Sequence, residues 1–186
     1  MTVYLIGDSI RMNAESCVRA QLEGIALVSP RENCESSHQV RANIEAWAPA
    51  TVGDIVHLNC GLHDIRYNPG LTFPVSSLAQ YRANLVGIFE MLARTQCQVI
   101  WATSTPLDEA RHNASKPSRR YLADLLRYNE ASVELAHAFG FAVNDLYQVA
   151  NAAGLSELLL PDGIHFNPQG NRVVGQAIAE AIGAHL

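Results

Sequence analysis

A serine hydroxyl attacks a carbonyl carbon usefully only when a neighbouring base takes its proton during the attack. The sequence holds one arrangement that meets this need. Near the start, the apolar run Tyr4-Leu5-Ile6 ends in Gly7-Asp8-Ser9-Ile10; near the end, Pro161-Asp162-Gly163-Ile164-His165-Phe166-Asn167-Pro168 sets a carboxylate and an imidazole three positions apart. An apolar strand that stops at a tight turn before a helical segment presents its next side chain at the carboxyl edge of a sheet. Ser9 is therefore a candidate nucleophile and His165 a candidate base, with Asp162 as the acid that fixes the imidazole tautomer and stabilises the imidazolium. Each residue alone also has a plain reading: Ser9 can cap the following helix, and Asp162 and His165 can be surface-loop residues. The chemistry exists only if the two ends of the chain meet.

A third segment, Gly61-Leu62-His63-Asp64, lies between them. With Gly7-Asp8-Ser9-Ile10 before it and Asp162-Gly163-Ile164-His165 after it, it resembles blocks I, III and V of the SGNH (GDSL-type) hydrolase superfamily, in that order and across nearly the whole chain. The resemblance implies a serine esterase that forms an acyl-enzyme on Ser9; short strand-edge loops with no evident lid favour a small-molecule ester with a short acyl group such as acetyl. It implies an oxyanion hole built from the Ser9 amide, an amide in the loop after the second strand and the side chain of a block III asparagine. This sequence departs from the pattern twice. His63 stands where the asparagine belongs, in one loop with Gly61, itself a candidate oxyanion or substrate-binding residue, and Asn33-Cys34-Glu35-Ser36 occupies the block II loop, with Cys34 expected at the position of the usual glycine. A non-glycine residue still donates its amide, although its side chain narrows the approach. A neutral His63 can replace the asparagine as donor if Asp64 or a backbone carbonyl holds its other nitrogen. Losing one such donor costs about 10²–10³ in rate, so a working donor is the expectation, and retuned or weakened catalysis is the competing one.

The elements that must position these residues alternate. Strands are expected at the Tyr4-Leu5-Ile6 run, at Ile25 to Val28 (buried), Asp54 to Asn59, Gln98 to Thr103 and Phe141 to Val143; helices from Asn13, Ser37, about Val75, Arg119, Asp145 and Pro168. Asn167 before Pro168 is a preferred helix start. Asp108 to Ser118, charged and aperiodic, reads as a mobile loop near the active edge. The alternation demands a parallel sheet with helices on both faces, a three-layer α/β/α fold; the resemblance adds a flavodoxin-like strand order, 2-1-3-4-5.

With 186 residues, one domain over residues 1–186 is expected. The net charge of -5, without a basic patch, argues against nucleic-acid and anionic-membrane partners. No leader or membrane span is legible, so a cytoplasmic location is expected. Cys17, Cys34, Cys60 and Cys97 lack zinc-site spacing and read as free, mostly buried thiols. No cofactor and no metal are expected, and the oligomeric state is left open. Asp8 and Asp64 read as organisers of their turns, His57 as a core histidine, and His38, His112, His137 and His185 as surface or helix residues. Arg66, Tyr67 and Asn68 are open to substrate contact or to no specific role. Thioester cleavage or acyl transfer would use the same triad. Two further classes compete: a metal-dependent phosphoesterase, which would need an Asp-x-His ahead of Gly7-Asp8 where no room exists, and a silent binding protein.

Overall fold

β1 (Thr2–Ile6) is apolar because both of its faces are covered: Val3, Leu5 and Ile6 are fully buried in the computed structural model, which describes residues 1–186. It sits inside a five-stranded, all-parallel sheet of order β2-β1-β3-β4-β5. The other strands are β2 (Ala26–Val28), β3 (Ile55–Leu58), β4 (Gln98–Ala102) and β5 (Ala142–Asn144). Parallel neighbours need crossover connections, and here these are helical. α1 (Ser9–Gln21), α6 (Leu146–Ala152) and α8 (Pro168–Gly183) pack together on one face, while α2 (Ser37–Trp47), α3 (Leu78–Thr95) and α5 (Leu122–Ala138) line up on the other. Two short helices, α4 (Glu109–Ser115) and α7 (Leu155–Leu158), complete the chain. No helix is long and apolar enough to cross a membrane. The three layers and the strand order are those expected.

Register places the functional loops. Ile6 pairs with Leu58, so β1 and β3 end level and the turns that follow them, Gly7 to Ser9 and Gly61 to Asp64, emerge side by side. The order also puts a topological reversal at β1, since the chain leaves it first toward β2 and later returns to β3 on its other side. In open α/β sheets, such a reversal opens a crevice at the carboxyl ends.

Several local expectations need correcting. α1 begins at Ser9, not Asn13, because the Asp8 carboxylate accepts the Ile10 amide as N-cap. β2 is not buried: Ala26 and Val28 are exposed, as its edge position dictates. Asp108 to Ser118 is not a loop but carries α4, capped by Asp108, whose Oδ1 accepts from the Arg111 amide. Seven residues are too few for a periodic signal, and polar ties hold the helix instead: Asn113 pairs with the Arg120 backbone and Glu109 accepts from the Leu122 amide. His112, expected as a surface or helix residue, is a helix residue of α4 and is 2% exposed. The four thiols are free, Cys34 and Cys60 buried and Cys17 and Cys97 half-buried.

Candidate active site

Ser9 and His165 are separated by 156 positions, yet Ser9 Oγ lies 2.9 Å from His165 Nε2. Adjacent helices bring them together. α1 starts at Ser9, α8 starts just after His165, and the two pack against each other so closely that a Cβ on Gly175 would meet Cys17 Cβ at 2.7 Å.

The imidazole is oriented by Asp162. Its Oδ2 lies 2.6 Å from His165 Nδ1, while its Oδ1 accepts the backbone amides of Ile164 and His165, each at 3.0 Å. Burial pushes the Asp162 carboxyl up, but the hydrogen bonds from His165 and from these amides outweigh it and hold the group at about 2. An ionised carboxylate only accepts, so Nδ1 carries the proton. Nε2 is then left as the acceptor for the Ser9 hydroxyl. Ser9 is also the first residue of α1, where the backbone N–H has no acceptor within the helix.

The block II expectation changes. Cys34 is fully buried and its amide is spent on the Gly7 carbonyl at 3.3 Å, so it has no free amide to offer. Asn33, one residue earlier, lines the cavity beside Ser9 instead. Its Oδ1 accepts the Glu35 amide, and the Arg11 guanidinium draws the same loop in by donating to the carbonyls of Gly7, Pro30 and Glu32. The one-residue shift was not readable because it depends on which amide the Gly7 carbonyl captures.

Gly61, the other oxyanion or substrate-binding candidate of this loop, is not among the residues lining the cavity. Its φ of 151° and the Ser104 hydroxyl beside it leave no place for a side chain. His63 does reach the cavity. Burial, then the nearby charges of Arg120 and Arg66, lower its pKa to about 4, so the ring is neutral and carries one N–H. Asp64 does not hold it: that carboxylate is buried and accepts from the Ser37 amide, the Ser37 hydroxyl and the Ser76 hydroxyl. His63 Nδ1 is buried without a partner, which leaves Nε2 as the nitrogen open to the cavity.

Two residues of the site escaped sequence reading. Arg120 is 7% exposed; its Nε donates to the Leu62 carbonyl at 2.7 Å and its Nη1 contacts His112 Nε2 at 3.1 Å. Since arginine only donates, His112 Nε2 accepts, and Nδ1–H donates to the Asp162 carbonyl at 3.1 Å. This chain joins the loop after β3 to the loop bearing Asp162 and His165. Nothing in the spacing of Arg120 or His112 signals it. The cavity has a volume of about 270 Å³ and is lined mostly by polar and charged residues. No group of three or more His, Cys, Asp or Glu side chains converges as metal ligands.

A three-layer parallel α/β fold holds serine, histidine and aspartate in one hydrogen-bonded line at its carboxyl edge, an arrangement suited to the chemistry of hydrolases. Residues 24–173 match the GDSL-like lipase/acylhydrolase family, and the chain belongs to it, an enzyme of carboxylic ester hydrolysis. The match contains Gly61 to Asp64 and Asp162 to His165; the Ser9 turn precedes it. No curated protein matches the sequence. Among solved structures, the fold is similar to that of an acetyl xylan esterase (TM-score 0.79, 17% identity, covering 98% of this chain and 100% of that one). It is similar as well to a lipolytic protein of the G-D-S-L family from Veillonella parvula (0.72, 22%, 97% and 97%). A third is an acetylxylan esterase from Geobacillus stearothermophilus (0.71, 14%, 98% and 94%).

Proposed function

We propose that the enzyme hydrolyses small carboxylic esters, with acetyl as the acyl group, through an acyl-enzyme on Ser9. The observation that carries this is the unbroken line Ser9 Oγ, His165, Asp162, at 2.9 and 2.6 Å. His165 Nε2 takes the hydroxyl proton as Oγ bonds to the carbonyl carbon, and Asp162 stabilises the imidazolium. The negative charge that develops on the carbonyl oxygen is met by the amides of Ser9 and Asn33 and by His63 Nε2–H. The imidazolium then protonates the departing alcohol. Water, deprotonated by His165, releases the acid and restores Ser9. A short acyl group fits the cavity of about 270 Å³, and two of the similar structures are acetyl xylan esterases.

The test is hydrolysis of aryl esters from acetyl to octanoyl by wild type and Ser9→Ala. Activity highest with acetyl, lost in the variant and unaffected by a metal chelator is expected, with an organophosphate labelling Ser9. Full activity in Ser9→Ala would overturn the mechanism.

A further inference from the structure

The chain is acidic overall, yet its active-site cavity is not. Arg66, Lys116 and Arg120 line it, facing only two carboxylates, Asp8 and Asp162. Asp162 is committed to His165, and Asp8 is buried with Oδ1 on the Ile10 amide and Oδ2 without a hydrogen-bond partner, paired with neither arginine. Neither arginine forms an ion pair; all six ion pairs of the molecule lie between other residues. The Arg66 side chain makes no hydrogen bond, and its Nε is buried without a partner. Arg120 is buried, and its Nη2 is likewise unbonded once Nε and Nη1 are used. Burial first, and then Arg66, lower the Arg120 pKa to about 10 against a smaller opposing pull from the Asp8 and Asp162 carboxylates, so two guanidiniums, neither of them ion-paired, share one small space.

A buried guanidinium beside a half-buried one, neither held in an ion pair, is unfavourable and favours a bound anion. The neighbouring histidines cannot fill that role, since an imidazole is never an anion, and His63 and His112 are both shifted toward the neutral form by burial and by Arg120.

We propose that the ester this enzyme cleaves carries an oxyanion, a carboxylate or a phosphate, on its alcohol portion, and that Arg66 and Arg120 clamp it while Ser9 attacks the acyl carbon. This rests on the acyl-enzyme reading above and adds the substrate class. Guanidinium forks match carboxylate and phosphate geometry, and a charge-assisted contact of this kind is worth on the order of 10- to 100-fold in affinity.

The experiment compares kcat/KM for meta- and para-acetoxybenzoate and for acetoxyphenyl phosphate with that for the neutral acetoxybenzamides. Wild type should favour a carboxylate or a phosphate ester by about 10-fold or more, and which of the two it favours identifies the anion. In Arg66→Gln, whose removed side chain bonds nothing else, that ratio should fall toward one. Were Arg66 merely an oxyanion-hole donor, both rates would drop together and the ratio would stand. Neutral esters cleaved through Ser9 with no anion preference would end this proposal and leave the serine mechanism intact. If instead Ser9→Ala stays active, calorimetric binding of hydroxybenzoate and of inorganic phosphate still decides: binding lost in Arg66→Gln supports the clamp, and no binding to wild type overturns it.

Discussion

Ser9 has little intrinsic reactivity, and everything that changes this is supplied by neighbours whose proton positions follow from their partners. Asp162, held ionised, places the His165 proton on Nδ1; Arg120, which only donates, places the His112 proton on Nδ1. His63 is the residue whose state no neighbour dictates, since no protein group bonds either ring nitrogen, and its Nδ1 is sealed from solvent. A single N–H on a neutral ring does the work of an amide donor if it sits on Nε2. Accordingly, His63→Ala should lower kcat by about 10²–10³ with an unchanged melting temperature, whereas His63→Asn should keep most of the wild-type rate. Equal turnover for His63→Ala and wild type would take His63 out of the reaction.

At the scale of elements, the loop carrying Asp162 and His165 is shaped by α4 as much as by its own sequence. The Asp108 amide donates to the Gly163 carbonyl at 2.8 Å, and His112 donates to the Asp162 carbonyl. Gly163 has φ of 72°, and a Cβ there would stand 2.7 Å from the Asp108 carbonyl oxygen and 2.8 Å from the His112 amide nitrogen. Both the left-handed backbone and the contact oppose a side chain. Gly163→Ala should destabilise the fold by about 2 kcal/mol or more in denaturant unfolding, and what folds should turn over slowly because His165 moves relative to Ser9. A variant as stable and as active as wild type would show that α4 does not brace this loop. The segment looked like a loop because a helix this short is held by its cap and side-chain ties rather than by periodicity.

For the molecule as a whole, stability should follow pH through histidines that folding buries. His57, in β3, accepts from Asn144 Nδ2 through Nε2, and burial lowers its pKa from 6.5 to about 4. Between those values the unfolded chain takes up a proton that the folded chain refuses, so stability falls as pH drops through this window and no further below it. Burial raises Asp8 and Asp64, and they act in the opposite sense. The measurement is therefore the difference between wild type and His57→Gln. The variant should lose less stability between pH of about 6.5 and 4, by on the order of 1–3 kcal/mol, and parallel curves would refute the assignment. Much of the molecule was written locally. Apolar runs ending at Gly7 and at Cys60-Gly61, the Asn167-Pro168 helix start and the strand–helix alternation determined by themselves a parallel α/β sheet and the turns that bear Ser9, His63, Asp162 and His165, because strand and helix periods and turn residues are short-range properties. Tertiary structure alone decided that Asn33 rather than Cys34 faces the cavity, that His112 and Arg120 are buried beside it and that two arginines converge there without forming an ion pair. Those outcomes depend on which groups meet across loops far apart in the chain, and no spacing within a single segment encodes such a meeting.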